Sequence, residues 1–155
     1  MLAIDPYTKG FGFAVLEGPE RLIDYGVKKV KGDKNFACLK KFTGLIERYQ
    51  PEVIVLENPT GKGSRRGQRV QQLLKELLEL AASKRIKVRS FSRLQIRKAF
   101  YSSCAFNKYQ VASSIAKQFP ELALRLPPVR KFWVNEDERM SIFDAIALAL
   151  TLFQS

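Results

Sequence analysis

Histidine is absent from this sequence, which removes every Ser-His, Cys-His and His-ligated zinc mechanism. Any catalysis has to run on carboxylates. Cysteine is scarce: Cys38 and Cys104 have no companions and no ligand-like spacing, so they read as buried, reduced thiols in a reducing compartment. Acids are outnumbered, 15 against 27 lysines and arginines, for a formal net charge of +12. A compact domain carries such self-repulsion more readily with an acidic partner, nucleic acid first and a membrane surface second. No apolar run approaches the ~18 uncharged residues that suggest a membrane span. Met1 leads straight into strand-like residues, with no basic region followed by an apolar one. The expectation is a soluble cytoplasmic protein, one domain over residues 1–155, with no membrane partner and enough chain to bury roughly two thirds of its unfolded surface.

What is present is organised around the first sixteen residues. Asp5 ends a short apolar run, turn chemistry follows from Thr8 to Gly10, and a second apolar run spans Phe11 to Leu16. This pattern predicts a β-hairpin with an acid at its mouth. Phe11, Phe13 and Val15 point to one face and Gly12, Ala14 and Leu16 to the other, so neither face is wet and the strand belongs inside a covered sheet. A third strand is expected over Arg21 to Val30 and a helix over Lys34 to Tyr49, stopped by Pro51. Val53 to Leu56 then forms an apolar strand that ends in Glu57, before Asn58 and Pro59 break it.

The stretch from Thr60 to Arg69 carries Lys62, Arg65, Arg66 and Arg69 among glycines and reads as a basic loop feeding a helix. That helix has the strongest pattern in the chain, Val70, Leu73, Leu74, Leu77, Leu78 and Ala81. A fifth strand follows over Ile86 to Phe91, then a short helix after Ser92, a turn over Ser102 to Phe106, and a helix starting at Asn107 with Gln110 as its capping partner. Pro120 to Val134 reads as irregular. A closing helix from about Asp137 to Phe153, capped by Asn135, is apolar over most of its circumference, with Asp144 set in that surface. The order β-β-β-α-β-α-β-α-α-α makes this an α/β fold with three antiparallel strands first.

Asp5, Glu57 and Asp144 share one oddity: each sits where its neighbours say interior. Taken singly, each is well explained as a buried salt bridge to one of the many basic residues. Jointly, if the two strand ends lie side by side and the last helix crosses them, the carboxylates converge and need a cation between them. Oxygen ligands without nitrogen or sulfur favour Mg²⁺, with Mn²⁺ able to substitute. The basic loop, with Lys62, Arg65, Arg66 and Arg69, follows one of these acids and opens a helix, which suits phosphate contact. Lys108 stands in the first turn of a helix, where the dipole disfavours a cation and phosphate would compensate. Tyr7, beside Asp5, is the aromatic residue best placed to meet nucleic acid. Glu136, Asp137 and Glu138 are accounted for as first-turn complements to the closing helix's dipole.

The segments IDPYTKGFGFAV, VIVLEN and FDAIALAL, in this order and spacing, resemble the RuvC-like Holliday-junction resolvases of the ribonuclease H superfamily. So does SRLQIRKAFYSSCAFNKYQVASSIAKQF, with a lysine just before a Gln-Val pair. The resemblance implies a ribonuclease H-like mixed five-stranded sheet flanked by helices. It implies metal binding by Asp5, Glu57 and Asp144 and a catalytic part for Lys108 near the scissile phosphate. It further implies a homodimeric, Mg²⁺-dependent endonuclease that hydrolyses phosphodiesters in branched DNA, above all the four-way junction. Two positions depart from the pattern: Tyr7 stands where such proteins usually have glycine, and Ser141 where they carry a further Asp or His. Asp137 shares a helical face with Asp144, but two turns of rise put it ~10 Å away. Two other readings remain open: a YqgF-like RNA-processing nuclease, and a catalytically inactive junction-binding module.

Overall fold

The computed structural model describes residues 1–58, 66–103, 105, 107–131 and 133–154. Five strands form one mixed sheet: β1 (Leu2–Tyr7), β2 (Gly10–Leu16), β3 (Leu22–Lys29), β4 (Val53–Glu57) and β5 (Lys87–Phe91), in the order β3-β2-β1-β4-β5. β1, β2 and β3 pair antiparallel, whereas β4 and β5 are added in parallel. The helices are α1 (Lys34–Tyr49), α2 (Gln68–Ser83), α3 (Arg93–Ala99), α4 (Lys108–Gln118) and α5 (Met140–Gln154). Two 3-10 turns, Tyr101–Ser103 and Pro120–Arg125, lie among them, the second within the stretch expected to be irregular.

Local chemistry accounts for most of these boundaries. The Asp33 side chain caps α1 by accepting from Phe36 N, and left-handed Gln50 ends it, one residue before Pro51. Ser92 and Gln95 form a reciprocal capping box at α3, and Asn107 caps α4 by accepting from Gln110 N. α5 differs from the expectation. It begins at Met140, so Asn135 is not its cap and Glu136, Asp137 and Glu138 precede it. The approach is a tight turn in which Met140, Ser141 and Ile142 N–H groups donate three residues back. Asp137 is taken up by the Arg139 backbone N–H and guanidinium, and Glu138 by Lys29 and Tyr7.

The alternation along the strands divides the core into two layers. Leu2, Ile4, Phe11, Phe13, Val15, Ile54 and Leu56 pack with α1 and α2 on one face. Ala3, Ala14, Leu16 and Val55 pack with α4 and α5 on the other. By the same alternation Asp5, Gly12 and Glu57 belong to this second face. Ala3, Gly12 and Ala14 on this face are small, and α5 comes close. A Cβ on Gly12 would stand 2.4 Å from the backbone of Ser141, so only glycine lets the helix pass at that height. Asp5 is the β1 residue paired with Gly12, and Asp144, one turn on from Ser141, is thereby carried to the region above it. Cys38 is buried in the first layer as a free thiol. Among the described residues no helix is long and apolar enough to cross a membrane.

Candidate active site

β1 and β4 run parallel with Leu2 beside Ile54 and Ala3 beside Val55. Two residues further along both strands, that register brings Asp5 next to Glu57. Both carboxylates are 3% exposed. A cavity of about 260 Å³ opens over them, and Asp144, Glu136, Lys108, Arg66 and Arg93 also line it. All three acids singled out in the sequence therefore face one space, supplied by two strand ends and the helix that crosses them.

Each acid is paired with a cation, and Asp5 and Glu57 share one. The Arg66 guanidinium lies between Asp5 and Glu57: Nη2 donates to Asp5 Oδ1 at 2.5 Å and Nε to Glu57 Oε2 at 2.5 Å, while Nη1 donates to the Pro6 carbonyl at 2.7 Å. Arg93 Nε donates to the other Glu57 oxygen at 3.0 Å. Lys108 Nζ stands 2.9 Å from Asp144 Oδ2 and also pairs with Glu136. Among the described residues no group of three His, Cys, Asp or Glu lies close enough together to hold a metal ion in this arrangement. The buried ion pairs that explain each acid singly are thus present, within the shared cavity that the joint reading required.

Burial raises the pKa of Asp5, and the Glu57 charge adds to it, against the opposing pull of Arg66 and Lys108. Asp144 is pushed up to about 8, by burial first and the Asp5 charge second, with Lys108 opposing. Burial alone would lower the Lys108 ammonium, but Asp144 and Glu136 outweigh it and raise its pKa. Lys108 therefore stays charged at neutral pH.

The remaining sequence candidates fall in several places. Arg69 donates to the Asn35 side chain and to the Tyr7 and Thr8 carbonyls, fastening the mouth of the β1–β2 hairpin. The Tyr7 hydroxyl donates to Glu138 at 3.2 Å, and burial together with that carboxylate raises its pKa. Lys62 and Arg65 lie outside the described residues. Ser141 is buried and its hydroxyl donates to the Glu138 carbonyl at 2.6 Å, so it is not a free ligand in the cavity. Asp137 does not line the cavity either. Sequence reasoning missed Arg93 and Glu136. Arg93 is the first residue of α3, where a cation opposes the helix dipole, the same signal that marked Lys108. Glu136 carried no distinguishing signal, because an acid ahead of a helix is ordinary.

Thermus thermophilus RuvC in complex with a Holliday junction substrate superimposes on this chain with a TM-score of 0.69 and 19% identity, covering 97% of this chain and 89% of that one. The fold is RuvC-like. A second Thermus thermophilus RuvC structure gives a TM-score of 0.67 and 20% identity over 97% of this chain and 92% of the other. No protein-family model and no curated protein matches the chain. The RuvC-like fold is thus established by shape, and the mixed sheet with its three antiparallel strands is the ribonuclease H-like arrangement that the motifs implied.

The donor chemistry of the cavity fits a divalent ion. Asp5, Glu57 and Asp144 offer only hard carboxylate oxygens, and Mg²⁺ commonly takes one or two carboxylates with substrate phosphates completing its shell. One guanidinium already bridges Asp5 and Glu57 through Nη2 and Nε, so both carboxylates are turned towards a common positive charge.

Proposed function

We propose that this chain is a Mg²⁺- or Mn²⁺-dependent endonuclease that hydrolyses phosphodiesters in branched DNA, with the four-way junction as its substrate. The observation that carries this reading is the cavity lined by carboxylates from β1, β4 and α5 beside a charged lysine. The RuvC-like fold and the +12 charge support it. Asp5, Glu57 and Asp144 are the residues that would hold the ion, whose contribution when bound is to polarise the phosphoryl group and acidify water at the site. Lys108, tethered to Asp144 and half-exposed, presents a fixed positive charge at the cavity mouth, where it draws in a backbone phosphate. Arg93 and Arg97 extend that positive rim. Glu136 holds Lys108 from the other side and limits its swing.

A junction has two equivalent strands to cut, related by a two-fold axis, and the described residues of one chain form one such carboxylate-lined cavity. Paired cleavage then takes two copies, and a closed homodimer matches the symmetry. A second reading, a catalytically inactive junction-binding module, is favoured by one observation: Arg66 satisfies Asp5 and Glu57 without any metal.

One experiment separates these. Labelled four-way junction, duplex, flap and RNA are each incubated with EDTA, Ca²⁺, Mg²⁺ or Mn²⁺. Junction cleavage with Mg²⁺ or Mn²⁺ and none with EDTA is the expected result. Tight, metal-independent junction binding with no nick in any lane would establish the binding module instead, and cleavage of RNA alone would move the substrate to RNA.

A further inference from the structure

Arg66 is an unusual tenant for this cavity. Three of its five N–H donors are spent on one another's neighbours in β1 and β4: the Asp5 carboxylate, the Glu57 carboxylate and the Pro6 carbonyl. Its side chain is 17% exposed, against 39% for Arg93 and 48% for Lys108. Arg93 pairs with Glu57 through its other oxygen, Oε1, and Lys108 pairs with Asp144 and Glu136. Arg66 alone among these cations stands between the two strand-end carboxylates, where their charges most demand neutralisation. A planar fork suits that place better than a lysine, since it meets two acceptors at once.

The backbone of Arg66 is held, but independently of the guanidinium. Its carbonyl accepts from Gln71 Nε2 at 2.9 Å, and the Gly67 carbonyl accepts from Gln71 N at 3.0 Å at the start of α2. Arg69, one turn on, is fastened to Asn35 and the β1–β2 turn. The guanidinium can therefore leave by rotation about its own side-chain bonds, with α2 staying in place. Gly67 adds no side chain to obstruct that rotation.

Resting on the metal-nuclease reading, we propose that Arg66 is an internal counter-ion that competes with the divalent ion for Asp5 and Glu57, so that the ion binds only as the guanidinium withdraws. The two compete for one place, because the guanidinium that contacts Asp5 Oδ1 and Glu57 Oε2 stands between the two carboxylates, where an ion bridging them would also have to sit. The apparent metal affinity of the free protein is then its intrinsic affinity multiplied by the small fraction of molecules with Arg66 withdrawn. The same contact keeps two buried carboxylates satisfied when no metal is bound. Arg66 is in this sense a positioning residue for the empty site and a gate on the loaded one.

The test is Mn²⁺ binding followed by electron paramagnetic resonance on the full chain, comparing wild type with Arg66→Gln and Arg66→Lys, with melting curves in EDTA and in Mn²⁺. Arg66→Gln is expected to bind Mn²⁺ about tenfold or more tighter than wild type. It should melt lower in EDTA and gain more on adding Mn²⁺. Arg66→Lys, which keeps the charge without the fork, should fall between the two, and it carries the same test if Arg66→Gln does not fold. Equal or weaker Mn²⁺ affinity in these variants overturns the gate while leaving the metal-nuclease reading standing. Absence of Mn²⁺ binding in all three proteins overturns both.

Discussion

The two faces of the sheet solve opposite problems with the same strands. Towards α1 and α2 the strands present Phe11, Phe13, Leu2, Ile4, Ile54 and Leu56, large and wholly apolar, and the space is filled by bulk. Towards α5 they present Ala3, Gly12 and Ala14, and the gap is closed by bringing the helix down until Ser141 rests on Gly12. The first face contributes stability, because each large buried side chain contributes some 1.5–3 kcal/mol. The second gives up side-chain volume for proximity. That proximity puts Asp144 over the ends of β1 and β4, where Asp5 and Glu57 already lie side by side. The buried carboxylates Asp5 and Glu57 lie on the face where the strands carry the least bulk.

The sharpest way to break this comparison is to alter the acids alone. Asp5→Asn, Glu57→Gln or Asp144→Asn should each reduce Mg²⁺-dependent junction cleavage on the order of 10³-fold, the loss of several kcal/mol of transition-state stabilisation. Junction binding in a gel shift should hold or tighten, since negative charge near phosphate has been removed. A variant that cleaves normally would place its residue outside the site.

Stability should divide along the faces. Phe13→Ala, on the α1–α2 side, empties a large buried volume and should cost about 3–5 kcal/mol in urea unfolding. Gly12→Ala adds a single methyl group, yet should cost about 1–3 kcal/mol, because it pushes α5 off the sheet. Of the two, only Gly12→Ala is expected to depress cleavage in the molecules that remain folded, by moving Asp144. Equal loss of specific activity in both would show that the two layers are not functionally distinct.

The smallest effect concerns pH. Burial and the Asp5 charge push the Asp144 carboxyl up to about 8 in the metal-free fold, with Lys108 opposing, against ~3.9 for an unfolded aspartate. The folded state therefore binds the extra proton, and this residue's contribution to stability is full below pH 4, falls as pH rises towards 8, and is flat above. Asp144→Asn removes that slope. In EDTA the variant should match wild type near pH 4 and melt progressively higher than it as pH rises towards 8. A constant difference across that range would mean that Asp144 ionises normally.

Much of this was legible in the residues. The hairpin, the three antiparallel strands and the apolar strand ending in Glu57 follow from period-two patterning and turn chemistry, and Ser92 and Asn107 announced their helices. The two-sided burial of β2 was readable because both its faces are apolar or small. What escaped notice was set by tertiary contact. α5 begins later than its acids suggest, because Asp137 and Glu138 are drawn to Arg139, Lys29 and Tyr7. Arg66 reads in the sequence as one basic loop residue among four. Nothing local says that it turns inward, since its partners Asp5 and Glu57 are 61 and 9 residues away. Arg93 was within reach of the helix-dipole argument applied to Lys108.

The central claim is that the face carrying α5 is a divalent-metal site held by Asp5, Glu57 and Asp144. Diffraction from crystals soaked in Mn²⁺, measured at a wavelength where manganese scatters anomalously, tests it most directly. The account predicts an anomalous peak within bonding distance of the Asp5 and Glu57 carboxylates, with the Arg66 guanidinium moved away from them. Arg66 still bridging both acids at saturating Mn²⁺, with no peak in the cavity, would contradict it.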